Sequence, residues 1–213
     1  GVVANMGGYG RPRNEGEVYL SIEEDGSVNL RCGASDVGAG QTQAYRQIAS
    51  EVLGVPLERV TVVMSDSHVT PLVGITAGSR QTLISGGATY RTGLELRGRL
   101  LKGAGELLEV SAEDLDIRGG KIFVRSAQER SVSVAQAVNK CRAMGMEMFH
   151  TGKMKIGDHR FEGHEKYGDA GGWMDYTFGV HAAEAEVNTE TGEIRLLRYC
   201  AGHDVGQAIH VQH

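Results

Sequence analysis

The chain has 213 residues, of which 40% are hydrophobic and 23% charged, and its formal net charge is -5. This composition is ordinary for a globular protein that buries one core. The acidic balance argues against nucleic acid or an anionic membrane as a partner, because both select for a basic face. No apolar run approaches the roughly 20 residues that a membrane-spanning helix needs.

Three cysteines, Cys32, Cys141 and Cys200, lie far apart in the sequence. Their number and spacing fit neither a disulfide framework nor a CxxC metal site. We therefore expect reduced thiols that pack like small hydrophobic side chains. Reduced cysteines in turn favour a cytoplasmic setting.

The first third of the chain shows clear strand and helix patterns. The alternating residues 17–22 and 28–32 predict a hairpin around Asp25-Gly26. The apolar spacing over residues 41–53 predicts a helix, which Gly54 ends. A third strand is expected over Val60 to Met64.

The pattern then predicts a longer helix, from about Ser79 to Lys102. One side of this helix is expected to carry Leu83, Gly87, Tyr90, Leu94 and Leu101.

Further along, a hairpin is predicted around Gly119-Gly120, followed by a helix near 134–144 that Ser131 or Ser133 caps. A last hairpin is predicted over 178–201. Residues 151–176 are polar and rich in glycine, and they predict a long loop. That loop is the best candidate for a sub-boundary inside one domain spanning 1–213. The order of elements predicts an α+β fold, a mainly antiparallel sheet with helices packed on it.

Glycine makes up 31 of the 213 residues, about twice the usual share of roughly 7%. Two glycine-containing loops, 38–42 and 78–81, each leave a strand and open a predicted helix. Helix N-termini carry unpaired N–H groups and partial positive charge, so they suit phosphates and other anions. Arg80 adds a fork of donors that matches phosphate. Each loop alone is also explained by a tight turn, with Ser79 as a helix cap.

The two loops and the segments between them occur in an order typical of one family. The chain resembles the large subunit of the molybdenum hydroxylases, which include xanthine dehydrogenase and aldehyde oxidase. The resemblance rests on Asp36-Val37-Gly38-Ala39-Gly40, Gln47 to Pro56, Val60-Thr61-Val62, Ser65-Asp66-Ser67, Thr70-Pro71 and Gly78-Ser79-Arg80-Gln81. It continues in His181 to Val187, Thr191 to Ile194 and Asp204-Val205-Gly206, and it is weakest over 103–176.

The resemblance implies that this chain is part of a molybdopterin-binding domain. The cofactor is a molybdenum-molybdopterin, in bacteria often in its cytosine dinucleotide form. The implied cofactor contacts are Gly38, Ala39, Gly40, Gly78, Ser79, Arg80 and Gln81. The family often has Gln where this chain has Ala39, and whether Gln41 takes over that role is open. A second departure is Ile209-His210-Val211, where the family has Ile-Asn-Pro.

The resemblance also implies an oxidoreductase that hydroxylates an aldehyde, a purine or an N-heterocycle with oxygen derived from water. Electrons would leave through an iron–sulfur subunit or domain to an FAD subunit or domain, in an oligomer. The family's base is a glutamate in a Gly-Glu motif well downstream of the segments that carry the resemblance, so no catalytic residue is predicted among these residues. We expect the isolated chain to be inactive and to bind molybdopterin weakly. The alternative is a non-catalytic module that binds or handles the cofactor.

A zinc enzyme is the alternative from another class. His150, His159 and His164 lie close in sequence, with acidic residues between them. Their spacing fits no HExxH or related zinc motif. We therefore predict no metal ligand in the chain.

Overall fold

The computed structural model describes residues 2–7, 15–155 and 175–209 of the chain. The described residues form three sheets and three α-helices, as the α+β prediction requires. The strands are β1 (Val2–Gly7), β2 (Glu15–Ile22), β3 (Val28–Cys32), β4 (Val60–Met64), β5 (Leu115–Arg118), β6 (Lys121–Val124), β7 (Ala127–Ser133), β8 (Phe149–Lys155), β9 (Asp175–Val187) and β10 (Ile194–Asp204). The helices are α1 (Gln41–Leu53), α2 (Gly87–Leu108) and α3 (Val134–Ala143).

The central sheet has four strands in the order β4-β3-β2-β8. The predicted hairpin is confirmed, with Val18 opposite Cys32 and Ile22 opposite Val28. Strands β3 and β4 are parallel, and α1 connects them. This is the one parallel pair among the described strands, so the prediction of mainly antiparallel pairing is also confirmed.

Strand β8 corrects the expectation of a loop from residue 151. Thr151 lies opposite Tyr19 and Lys155 opposite Glu15, so this segment completes the edge of the central sheet. The prediction of a loop is therefore wrong for residues 151–155, and it is also wrong for residues 175 and 176, which belong to β9. Residues 156–174, which include His159 and His164, lie outside the described part of the chain.

Helices α1 and α2 pack against the central sheet and bury its apolar side chains, and α3 packs against α2. Helix α1 begins and ends where predicted, and Gly54 ends it in the left-handed conformation with a φ of 64°. Ser133 caps helix α3, and its side chain and Gln136 form a reciprocal capping box. The core formed by these elements includes Leu20, Leu30, Tyr45, Leu53, Leu96, Leu100 and Val138.

Helix α2 departs from the sequence prediction in its start and in its buried side. It is preceded by one π-helical turn, Thr82–Gly86, and it continues to Leu108. Its buried residues are mostly small, among them Ala88, Thr92, Gly93, Gly103 and Ala104, with Leu96 and Leu100. A side chain at Gly93 would collide with Val52 of α1, so the absence of a Cβ lets the two helices approach closely.

Tyr90 and Leu94 are therefore not on the core side of α2. They are 51% and 44% exposed and line an open groove of about 1190 Å³ with Ile48 of α1 and Ile209. The sequence pattern favoured large apolar residues for burial. The structure instead buries a stripe of small residues.

The third sheet has the order β1-β9-β10 and contains the predicted last hairpin. Asn188 accepts hydrogen bonds from the backbone N–H groups of Glu190 and Thr191 in its turn.

Cys32 and Cys141 are buried, as expected, but Cys200 on β10 is exposed. The expectation of packed thiols is thus correct for two of the three. Among the helices that the structure describes, none is long and apolar enough to cross a membrane.

Candidate cofactor site

The loops singled out from the sequence follow the carboxyl ends of the two parallel strands. Residues 33–40 follow β3, and residues 65–81 follow β4. The carboxyl ends of adjacent parallel strands meet at one edge of a sheet, which is a common place for ligands in folds with crossover helices. We call these two segments together the loop edge.

Direct hydrogen bonds join the two halves of the loop edge. The hydroxyl of Thr76 accepts from the backbone N–H of Ser35 at 3.1 Å and donates to the carbonyl of Ser35 at 3.0 Å. The Ser65 hydroxyl donates to the carbonyl of Ala34 at 2.9 Å. These bonds join the segment that follows β3 to the segment that follows β4.

A buried polar network lies behind this contact. The Tyr45 hydroxyl is 3.3 Å from the carbonyl oxygen of Gln81 and 3.2 Å from its Oε1. Ser85 donates to the same Oε1 at 2.7 Å. The Gln81 amide nitrogen donates to the hydroxyl of Thr76 at 3.2 Å. Burial raises the pKa of the Tyr45 phenol, so Tyr45 is a neutral donor here.

This network engages the side chain of Gln81. The residue is 3% exposed, and both ends of its side-chain amide are engaged by protein groups. Gln81 therefore positions the loop edge from behind. Its spacing after Gly78 could not show this, because the partner Tyr45 is distant in sequence.

Arg80 is also buried, with 5% of the residue exposed. Its guanidinium donates to the carbonyl of Ile75 at 2.9 Å and to the carbonyl of Glu15 at 3.2 Å. Burial lowers the pKa of this guanidinium. The second of these hydrogen bonds ties the loop edge to β2.

A carboxylate of the protein itself lies at the N-terminus of α1. Asp36 accepts hydrogen bonds from the backbone N–H groups of Gly38 and Thr42 and from the Thr42 hydroxyl, at 2.9–3.1 Å. These bonds, led by that from the Thr42 N–H, lower the pKa of the Asp36 carboxyl. The positive end of the helix is therefore already complemented by a negative charge.

Other groups at the loop edge present surface for a ligand. Ala39 is exposed and Gly40 partly exposed. A Cβ built at Gly38 meets no described atom within 4 Å, so the space beside this glycine is open. Position 38 favours glycine because its φ is 92°, a conformation that residues with a side chain rarely adopt.

Ser79 does not cap a helix, because the π turn begins at Thr82 and Gln81 precedes it. The capping interpretation of Ser79 is thus wrong. Ser79 is exposed and has a φ of 50°. Ser65 has a φ of 60°, so two of the three non-glycine residues with positive φ in the described chain belong to the loop edge. Such strained residues gather at ligand sites.

The first residue of α1 has an unsatisfied polar atom. The side-chain oxygen Oε1 of Gln41 is buried and has no hydrogen-bond partner among the described residues. A buried acceptor without a donor costs free energy, which a bound donor would recover. Gln41 lies directly after Gly40, and sequence reasoning raised it only as a question.

The groove beside Tyr90 includes none of the predicted cofactor contacts. Among the described residues, no group of three or more His, Cys, Asp or Glu side chains is arranged to hold a metal ion.

Comparison with protein families identifies the fold and the class of site. Residues 1–212 match the family described as the molybdopterin cofactor-binding domain. The chain therefore belongs to this family and corresponds to part of the large subunit of molybdenum hydroxylases, as the sequence motifs indicate.

The curated relatives agree. The gamma subunit of the 6-hydroxypseudooxynicotine dehydrogenase complex of Paenarthrobacter nicotinovorans is 25% identical over 209 residues, covering 98% of this chain and 25% of the relative. The molybdenum-binding subunit of xanthine dehydrogenase from Escherichia coli O157:H7 is 30% identical over 117 residues, covering 54% of this chain and 16% of the relative. The chain spans about a quarter or less of the length of these relatives.

A solved structure confirms the fold. The crystal structure of quinoline 2-oxidoreductase from Pseudomonas putida 86 matches 98% of this chain and 27% of its own, with a TM-score of 0.78 and 22% identity.

Proposed function

We propose that this chain forms one side of the molybdenum-molybdopterin pocket in a longer subunit, with the cofactor seated against the loop edge. The observation that carries the proposal is the buried, unpartnered Oε1 of Gln41 beside the exposed backbone of Ala39 and Gly40. The cofactor would supply the redox chemistry of the reaction.

The residues divide into two roles under this proposal. Ala39, Gly40, Gln41, Gly78 and Ser79 are the groups that would contact the cofactor. Arg80, Gln81 and Asp36 hold the loops in place, because their polar atoms bind protein groups. The backbone N–H of Gly38 donates to Asp36. The open space beside the Gly38 Cα is therefore where the cofactor would contact this glycine.

For the whole protein, we propose oxidative hydroxylation of an aldehyde, a purine or an N-heterocycle with oxygen derived from water. The iron–sulfur and FAD partners, an oligomeric assembly, a cytoplasmic location and the cytosine dinucleotide form of the cofactor belong to the same proposal. Family membership supports it. The base and much of the substrate pocket would come from polypeptide beyond these residues.

The test is a Gln41→Ala variant of the full-length subunit, with Gln43→Ala on the same helix as the matched control. Molybdenum content by elemental analysis and pterin content by extraction should fall in Gln41→Ala and stay unchanged in Gln43→Ala. In the cofactor-free 213-residue chain, Gln41→Ala should not lower the free energy of unfolding, because it removes an unsatisfied acceptor. Unchanged cofactor content in Gln41→Ala would contradict the assigned contact.

A further inference from the structure

The outer part of the β9–β10 hairpin, residues 183–187 and 194–199, has two chemically different faces. Opposed residues of antiparallel strands point to the same side of a sheet, and successive residues alternate. The bulge at Leu197 keeps this alternation, because Glu184 lies opposite Arg198. One face therefore carries only uncharged side chains, namely Val187 opposite Ile194, Ala185 opposite Leu196, and Ala183 opposite Tyr199. We call these residues the hairpin patch.

The opposite face of the same strands carries ion pairs. Arg195 lies 3.5 Å from the Glu186 carboxylate, and Arg198 lies 3.3 Å from that of Glu184. Cys200 is opposite Ala182, so its exposed thiol belongs to this charged face. The hairpin is thus amphipathic across its two faces.

The hairpin patch is uncovered in this chain. Its four large side chains, Val187, Ile194, Leu196 and Tyr199, are each more than half exposed. Strand β1 pairs with β9 only as far as Val180, and among the described elements only β1 makes an extended contact with the hairpin. A two-stranded hairpin is marginally stable in water by itself, and a grouped set of exposed apolar side chains marks a contact surface.

We infer that the hairpin patch is the docking surface for another segment of the same large subunit. This inference rests on the part of the proposed function that sets the chain within a longer subunit. The chain spans about a quarter of the relatives that match it over nearly its whole length, so most of such a subunit lies outside it. A segment of the same polypeptide is tethered to the hairpin, and its effective concentration therefore exceeds that of a separate chain.

The composition of the hairpin patch defines the chemistry of the segment that it binds. Aliphatic side chains and one tyrosine offer apolar area and no ionic partner, so a charged segment would lose hydration without compensation. The docking segment therefore contributes apolar side chains. The charged face stays in water, because burying the pairs of Arg195 and Arg198 would cost more than their attraction returns.

The test is thiol labelling of the purified full-length subunit, read for each peptide by mass spectrometry. Leu196→Cys reports on the hairpin patch, and Cys200 of the same strand is the matched control on the charged face. Each rate is divided by the rate of the same thiol in the urea-unfolded subunit. We expect Leu196→Cys to react about 10-fold or more slowly than Cys200, because labelling of a covered position requires local opening. Ile194→Cys is a second variant that should be protected in the same way.

The labelling rates also distinguish the other occupants. Protection that persists on dilution and without any other subunit supports the proposal. Protection that fades on dilution assigns the surface to a second copy, and protection that requires an added subunit assigns it to that partner; either result overturns the proposal. Equal rates at Leu196→Cys and Cys200 overturn it as well, whether both are fast or both slow. Labelling does not depend on the cofactor, so its result is separate from the molybdenum content of Gln41→Ala.

Discussion

At the scale of single residues, the loop edge is held by polar side chains that the sequence presents as ligand contacts. The motif predicts which loop residues contact the cofactor, and the structure joins the two segments that carry them through Ser35 and Thr76. It does not predict that Arg80 and Gln81 bind protein groups, because the partners Glu15 and Tyr45 come from distant elements. Sequence spacing is informative about local turns, whereas side-chain partners depend on tertiary packing.

Asp36 provides a first prediction at this scale. Asp36→Ala should lower the free energy of unfolding by about 0.5–1 kcal/mol at pH 7, because the carboxylate acts as a cap for α1. Urea denaturation measures this, with Asp114→Ala as the control for a solvent-exposed aspartate. An equal effect of the two substitutions would contradict the capping role.

The lowered pKa of Asp36 also gives this stabilisation a pH dependence. Its folded-state pKa lies below the unfolded value of about 3.9. The stabilisation is therefore fully present above that unfolded value and is lost as the pH falls through the folded-state pKa. The difference in free energy of unfolding between wild type and Asp36→Ala, measured by urea denaturation, should therefore shrink as the pH falls below the unfolded value. A difference that stays constant down to the lowest pH would contradict the charge-dependent cap.

Tyr45 provides a further prediction. Tyr45→Phe removes the phenol donor to Gln81 in a buried site, which should cost about 1 kcal/mol of unfolding free energy. Hydrogen exchange of the backbone amides in residues 75–81 should become faster. Tyr90→Phe is the matched control, since Tyr90 is 51% exposed. Unchanged exchange in Tyr45→Phe would show that the network does not hold the loop edge.

At the scale of elements, the periodic segments are predicted well and α2 is predicted least well. Helix α1 has one face of larger apolar residues and ends at Gly54, so its pattern and its bounds agree. Helix α2 buries small residues and starts with a π turn, which shifts the residues that face the core. A hydrophobicity pattern cannot show that close helix packing selects glycine over leucine.

Two glycines of α2 separate packing from helix propensity. A Cβ at Gly93 would collide with Val52, whereas a Cβ at Gly98 meets no described atom within 4 Å. Gly93→Ala should therefore destabilise the chain by about 1–3 kcal/mol. Gly98→Ala should stabilise it by about 0.5–1 kcal/mol, because alanine favours the helix. Thermal and urea unfolding measure both, and a stabilising Gly93→Ala would contradict the close α1–α2 contact.

At the scale of the whole molecule, the β9–β10 hairpin exposes many large side chains, among them Phe178, Val180, Ile194 and Leu196. The chain also spans about a quarter or less of the length of its relatives. The family, the α+β class and the position of the loop edge follow from motifs within these residues. The substrate does not follow from these motifs, because the contacts that they predict are with the cofactor.

The central claim is that the cofactor contacts the loop edge. A crystal structure of the full-length subunit, purified with its cofactor and recorded with anomalous data at the molybdenum edge, tests it most directly. The account predicts pterin density against Ala39 to Gln41 and against Gly78 and Ser79, with the Gln41 Oε1 accepting a hydrogen bond from the ligand. A cofactor bound elsewhere, with the loop edge facing only protein or solvent, would contradict it.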